Sequence, residues 1–215
     1  MNRTSKEIIA VVASLFLVFI AWYGSYLPMR KAEIYITTLQ SMQTNPVSTL
    51  GDLETRVSIP LNSFSPIGQE ELVRNMANSV LGFVQQSQDA TSTAELIRFT
   101  ISYFDPIIER GKGMSFGQDI YLMGAINEMA YTKTGNKAYL EDAKTYYREG
   151  QALGPNRPQP LYGLFDVYRM EGDVANAEAI GKKILTNWPT DENVQQGLAQ
   201  LMTQGAPSST QPLWQ

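Results

Sequence analysis

The sequence predicts an all-α chain: an N-terminal transmembrane helix followed by an α-solenoid of antiparallel helix pairs. Three observations predict it. Ile8 to Met29 is an unbroken run of 22 residues without a charge. After it, apolar residues recur at helical spacings of three and four, interrupted by Gly, Asn, Asp and Pro. Two of the interruptions, Pro155 and Pro189, stand 34 residues apart. The layout is a stub at 1–7, the transmembrane helix at 8–29, a membrane-proximal helical linker at 30–65, a domain of helix pairs at 66–203 and a disordered tail at 204–215.

The run is long enough to span, since about 20 apolar residues cross a hydrocarbon core. Its centre, Ile8 to Ile20, is nearly all Ile, Val, Leu, Ala and Phe, and Trp22, Tyr23 and Tyr26 follow where the far interface falls. Aromatic rings favour that belt. Pro28 then suits a helix exit. A secretory leader and a buried helix of a soluble protein are the rival readings. A leader has an apolar stretch of roughly 7–15 residues and a small-x-small cleavage site, which Ala21-Trp22-Tyr23 and Gly24-Ser25-Tyr26 fit poorly. Arg3 and Lys6 before the run nearly balance Arg30 and Lys31 after it, so basic residues leave the orientation almost undecided. The short stub and the lack of cysteine, which avoids a redox problem without identifying a compartment, favour a single-pass protein with its domain outside the cytoplasm.

Residues 30–215 carry 15 basic and 20 acidic side chains, a formal charge of −5. That mildly acidic surface repels a phosphate backbone and argues against nucleic acid as a partner. The segment is large enough for a sizeable core.

Along the chain, Lys31 to Gln43 continues as helix, with Ile34, Leu39 and Met42 on one side, until Asn45-Pro46 interrupts it. Leu50, Leu53 and Val57 predict a short helix, and Ser58 to Ser65, with Pro60 inside, a loop. Leu72, Val73, Met76, Ala77, Val80, Leu81 and Val84 predict an amphipathic helix ending at Gln85 to Ala90. Ser92 and Glu95 have the spacing of a capping box before a helix carrying Leu96, Phe99, Ile101, Tyr103 and Phe104. Pro106 kinks that helix or starts a new turn, and Gly111-Lys112-Gly113 breaks it. Two pairs follow: Phe116 to Thr134 with Lys137 to Leu153 across Gly135-Asn136, then Gln159 to Glu171 with Val174 to Asn187 across Gly172-Asp173. Thr190 caps a final helix to about Met202. Gly205 to Gln215, rich in Pro, Ser and Thr, has the composition of a disordered tail.

Ala143 and Ala177 share the spacing of 34, each 12 residues before its proline. Ala143-x-x-x-Tyr147 with Pro155, Leu161-x-x-Leu164-x-x-x-Tyr168, Gly172-Asp173, Ala177 and Pro189 make roughly Gly117 to Asn193 resemble the tetratricopeptide repeat family, whose period is 34 residues. A small residue in a second helix lets the first approach closely, and a proline turns the chain into the next pair. The first unit departs by three extra residues near its turn, and Gly181 stands where a large aromatic residue is usual. The resemblance implies a curved stack of TPR-like pairs that contacts peptides or proteins. More narrowly, the span, the membrane-proximal helices and the segment ALGPNRPQPLYGLFDVYRMEGD (Ala152 to Asp173) resemble the extracytoplasmic C-terminal part of bacterial O-antigen ligase-like membrane proteins, over Ala21 to Pro189. Those proteins are polytopic glycosyl-transferring enzymes. The resemblance implies an accessory domain or fragment and transfers no catalytic residue.

The chain has neither histidine nor cysteine, which removes the imidazole base, the thiol nucleophile and thiolate zinc sites. Glu70-Glu71, Glu141-Asp142 and Asp191-Glu192 stand at helix starts, where a capping or solvated role fits the dipole. Gly111 to Ser115 superficially resembles a phosphate loop but lacks the required spacing and reads as an inter-helix loop. No catalytic, cofactor-binding or metal-ligating residue is therefore assigned, and no cofactor. Tyr121, Tyr131, Tyr139, Tyr146, Tyr147, Tyr162, Phe165 and Tyr168 cluster in the helix pairs, most of them as packing. A few are expected to line a groove with polar neighbours. The candidate partner-binding residues are Tyr121, Asn127, Arg157, Tyr162, Tyr168 and Arg169. The expected partners are other membrane or envelope proteins, including lipid-linked glycan assembly machinery.

Overall fold

A computed structural model describes residues 3–47, 49–86 and 89–204. All regular secondary structure among them is helical. The tail beyond Gln204, which the sequence assigns to disorder, lies outside the described residues, as do Met1 and Asn2 of the stub. The chain divides into two compact units, Met1–Met76 and Ala77–Gln215.

The first unit begins with one 42-residue helix, Arg3–Thr44, about 63 Å long at 1.5 Å per residue. It comprises α1 (Arg3–Ala21), a π-helical turn (Trp22–Tyr26) and α2 (Leu27–Thr44). It is long and apolar enough to cross a membrane, and its apolar stretch buries nothing against the protein. Pro28 does not end it. The Leu27 N–H donates to the Trp22 carbonyl, five residues back, and the widened turn absorbs the proline that would clash in a regular helix. Phe19 stacks on Tyr23 at 5.5 Å and Trp22 on Tyr26 at 4.5 Å.

α2 packs on α3 (Leu50–Asn62). Thr49 caps α3, its hydroxyl accepting the Asp52 N–H at 3.2 Å. The loop expected from Ser58 begins only at Ser63, because Pro60 and Leu61 extend the buried face begun by Leu53 and Val57. Only Leu61 and Asn62 follow Pro60 in the helix, so the proline forfeits one helical hydrogen bond, to the Arg56 carbonyl, and leaves no long segment beyond it to kink. Lys31, read from sequence as a flanking charge, is buried: its ammonium donates to the Ser63 carbonyl at 2.8 Å and to Gln69 Oε1. Gln69 in turn donates to the Leu61 carbonyl at 3.1 Å. The unit boundary falls inside α4 (Gln69–Gln86), whose Leu72, Val73, Met76, Ala77, Val80, Leu81 and Val84 are all buried, as their spacing predicts.

The second unit contains α5 (Ala90–Arg110), α6 (Phe116–Thr134), α7 (Lys137–Leu153), α8 (Pro158–Glu171), α9 (Val174–Asn187) and α10 (Glu192–Gln204). α5 starts before the expected Ser92 cap. Asp89 takes that role, accepting the Thr91 and Ser92 N–H groups at 3.2 and 3.0 Å, because a carboxylate suits the positive helix end better than a hydroxyl. α5 runs on through Pro106 to Gly111, whose left-handed backbone closes it. Likewise α10 is capped by Asp191, which accepts the Val194 N–H at 3.0 Å, in place of Thr190.

Each helix from α5 to α10 packs on its successor, and α6 also touches α8. The connections Gly135-Asn136 and Gly172-Asp173 are two residues long, so α6–α7 and α8–α9 are helical hairpins. At Gly172 (φ +73°) the Asp173 N–H reaches the Tyr168 carbonyl at 2.9 Å and the Gly172 N–H the Arg169 carbonyl at 3.1 Å. This double closure requires a residue tolerant of the left-handed region. α6 is buried nearly all round from Asp119 to Ala130, so it shows no one-sided pattern.

Candidate functional site

The side chains singled out from sequence fall in the second unit, in two neighbourhoods. The first is built around Tyr147 of α7, which is fully buried. Its ring lies against two glycines: a Cβ added to Gly124 of α6 or to Gly163 of α8 would come within 2.4 Å of ring carbons. These notches let the ring enter between two helices. Its hydroxyl then donates to Glu128 Oε2 at 2.7 Å, and Glu128 is itself fully buried. Burial, and then the Glu128 charge, push the Tyr147 phenol well above its ordinary value. Tyr121 is half-buried with its ring 5.9 Å from that of Tyr147. It too is raised, first by burial and then by the charges of Glu128 and Asp166. Both phenols therefore stay neutral beside the carboxylates, and Tyr147 donates to one of them.

Asp166 of α8 is buried and accepts from Arg169 NH1 at 3.1 Å. The Arg169 guanidinium lies 5.3 Å from the Phe165 ring centre, within cation–π range. Phe165 repeats the notch device, because a Cβ on Gly181 of α9 or Gly197 of α10 would approach its ring to 3.0 Å. Gly181, unusual for the family the sequence resembles, thus vacates the space the Phe165 ring fills. Between α7 and α8, Arg148 donates to the Tyr168 hydroxyl at 3.2 and 3.0 Å through Nε and NH2. Lys144 bridges Glu141 at 2.8 Å and Glu171.

The second neighbourhood is at the surface. Tyr162 of α8 is half-buried, with its ring 6.2 Å from Trp188 at the end of α9. Its hydroxyl donates to Asp191 Oδ2, the carboxylate that caps α10. Burial and that hydrogen bond push the phenol up to about 12. Arg157 is exposed just before α8 and folds back, so that a Cβ on Gly117 would stand 2.4 Å from its NH1 and one on Gly154 2.6 Å from its Cδ.

Of the six candidates, Asn127, Tyr168 and Arg169 are buried. Asn127 donates to the Met123 carbonyl of its own helix at 2.8 Å. Burial takes these three away from direct contact with a partner. Tyr121, Arg157 and Tyr162 keep exposed surface. Sequence reasoning missed Glu128, Asp166, Trp188 and the bridging role of Asp191. Glu128 did carry a signal, as a lone charge within the apolar run Gly124 to Ala130. Among the described residues, no three His, Cys, Asp or Glu are grouped to hold a metal. The inner cluster is a shielded network of neutral phenols and carboxylates. The outer one is a pair of rings with a polar rim.

Comparison with protein families, curated proteins and solved structures finds no match to this chain.

Proposed function

We propose that this protein is a membrane-anchored helical scaffold that recruits another envelope protein, through a TPR-like surface formed by α6, α8 and the start of α10. The observation that carries the reading is the continuity of a lipid-compatible 42-residue helix with a chain whose hairpins place α6 directly against α8. Stacked helical pairs bring their first helices side by side and create extended recognition surfaces. On that surface the Tyr162–Trp188 pair and Arg157 offer ring area, a fixed hydroxyl and a cation, the residue types that dominate protein contacts. The helix makes a single pass of a bacterial plasma membrane, and the hairpins are extracytoplasmic. A second reading, an accessory of surface-glycan assembly whose catalysis resides in other membrane spans, draws on the same pair, since two rings beside a carboxylate can also hold a sugar.

A photocrosslinking residue placed at Tyr162 or Arg157 of the full chain, irradiated in native membranes, tests this. Discrete adducts with an envelope protein are expected from both positions and not from Lys182, an exposed position on α9. Identical patterns at all three positions, or no adduct at all, would end the proposal. Adducts with a lipid-linked glycan would move it to the second reading.

A further inference from the structure

The loop between α3 and α4, residues 63–68, is turned inside out. Its two hydroxyls are spent on nearby backbone carbonyls: Ser63 Oγ donates to the Pro60 carbonyl at 2.8 Å and Ser65 Oγ to the Ile67 carbonyl at 2.7 Å. Its two large apolar side chains point away from the protein, Phe64 at 70% and Ile67 at 62% exposure. An ordinary surface loop shows the opposite distribution.

This loop is fixed in place. Lys31 of α2 holds its first carbonyl at Ser63, and Gln69 just past its end holds both Lys31 and the Leu61 carbonyl. The clamp sets the height of Phe64 on the long helix. The Phe64 ring centre lies 6.4 Å from that of Tyr23. Tyr23 is six residues before Met29, the last of the uncharged run, which is about 9 Å down the helix. Phe64 therefore stands on the apolar side of Arg30, at the level of the Trp22, Tyr23 and Tyr26 belt, where rings sit in the interfacial zone of a bilayer.

We infer that residues 63–68 form a second membrane contact, in which Phe64 and Ile67 seat in the lipid interface beside the aromatic end of the span. The occupant is lipid because the exposed apolar patch is continuous, through Tyr23, with the helix proposed as the membrane span; the inference rests on that proposal. The contact makes the anchor broader than one helix and limits rotation of the first unit about the helix axis.

The natural absence of cysteine makes single-site spin labelling clean. Phe64→Cys and Ile67→Cys of the full chain, reconstituted in phosphatidylcholine vesicles with some phosphatidylglycerol, are labelled and read by collision with oxygen and with a water-soluble nickel chelate. Phe16→Cys, in the centre of the span, is the lipid reference. Gln43→Cys, exposed and 20 residues beyond Tyr23 or about 30 Å up the same helix, is the water reference. The expected result at 64 and 67 is loss of nickel collisions relative to 43, with oxygen collisions retained as at 16. Nickel access equal to that at 43 overturns the inference, and so does shielding from both reagents, which means a protein covers the loop. Nickel access at 16 overturns the anchoring itself. If one loop variant loses its helical circular dichroism, the other decides.

Discussion

Replacing Gly163 by alanine tests the notch directly. A new Cβ would stand 2.4–2.5 Å from three atoms of the Tyr147 ring, more than 1 Å inside the roughly 3.5–4.0 Å at which carbons rest. The ring cannot retreat. Gly124 presses its other side just as closely, and its hydroxyl is held by Glu128. α7 and α8 must therefore part or the phenol must leave its site. Overpacking of this kind costs about 1–3 kcal/mol and sometimes more. Alanine recovers about 1 kcal/mol of helix propensity. With no room to relax, the upper end applies and the net loss is about 2 kcal/mol, or about 4–8 °C in Tm for a chain of this length. Gly82→Ala in α4 is the matched control. Nothing lies within 4 Å of its Cβ position, so only propensity acts and the variant gains about 0.5–1 kcal/mol. Thermal melts of the full chain in detergent, followed by circular dichroism, read both. Adding Tyr147→Leu to Gly163→Ala should cost less than the two single losses combined, since the overlap disappears. A Gly163→Ala variant that melts at or above wild type refutes the notch, and additive losses refute its link to Tyr147.

Tyr147→Phe keeps the ring but strips Glu128 of a donor, with an expected loss of about 1.5–3 kcal/mol, as for hydrogen bonds to charged groups. The same variant checks a pH effect. Tyr147 stays protonated when folded, whereas an unfolded tyrosine ionises near about 10; its contribution is complete below that pH and fades as pH rises above it, so urea titrations should show a shallower alkaline decline for the Phe variant. Asp173→Ala removes the α9 cap that accepts the Asn176 N–H at 3.1 Å, with a loss of about 1 kcal/mol and faster hydrogen exchange at that amide. Hydrogen bonds from the Asn176 side chain and amide hold the Asp173 carboxyl below its ordinary value. Its contribution is full above pH about 4 and is lost as the pH falls through the lowered value, so the gap between wild type and variant should narrow in acid. Leu15→Arg, which places a charge mid-span at about 2.5–3.5 kcal/mol, should shift protein from the carbonate-resistant membrane pellet to the supernatant, whereas wild type stays in the pellet.

The helices were legible where one signal dominated. Gly135-Asn136 and Gly172-Asp173 punctuate long apolar patterns, so α6, α7 and α9 begin and end where their composition says. Prolines misled, because their effect depends on surroundings. Pro28 follows a widened turn and Pro60 joins a buried face, and neither context is visible in a local window. Caps misled for a related reason: Asp89 and Asp191 outcompete the nearby Ser92 and Thr190 as acceptors. α5 buries Thr93 and Thr100 among its apolar residues, and a stripe counted on apolar residues alone passes over them. The inner cluster was the least legible. Lys31 and Glu128 are buried charges completed by partners far along the chain, Ser63 and Tyr147, whereas Arg169 is buried against Asp166 one turn before it, and no local window shows that either carboxylate is enclosed. Of the four glycines around Tyr147 and Phe165, Gly181 alone stood out in the sequence, as an absent aromatic; Gly124, Gly163 and Gly197 gave no signal because each is defined by a ring on another helix.

The Phe165 ring also ties the outer pair to its helices. Tyr162 and Phe165 stand one turn apart on α8, hence on the same side of it. Phe165 is wedged against Gly181 of α9 and Gly197 of α10, which fixes the register of both helices on α8. Trp188 ends α9 and Asp191 starts α10. The wedge that sets the register therefore also sets the distance from Tyr162 to its two neighbours. With its hydroxyl committed to Asp191, Tyr162 presents a ring that loses little conformational freedom when a partner docks, and a surface ordered in advance retains more of its contact energy as affinity. Mid-helix glycines are usually a weakness. Here they let buried aromatic residues hold the proposed docking surface in a fixed geometry.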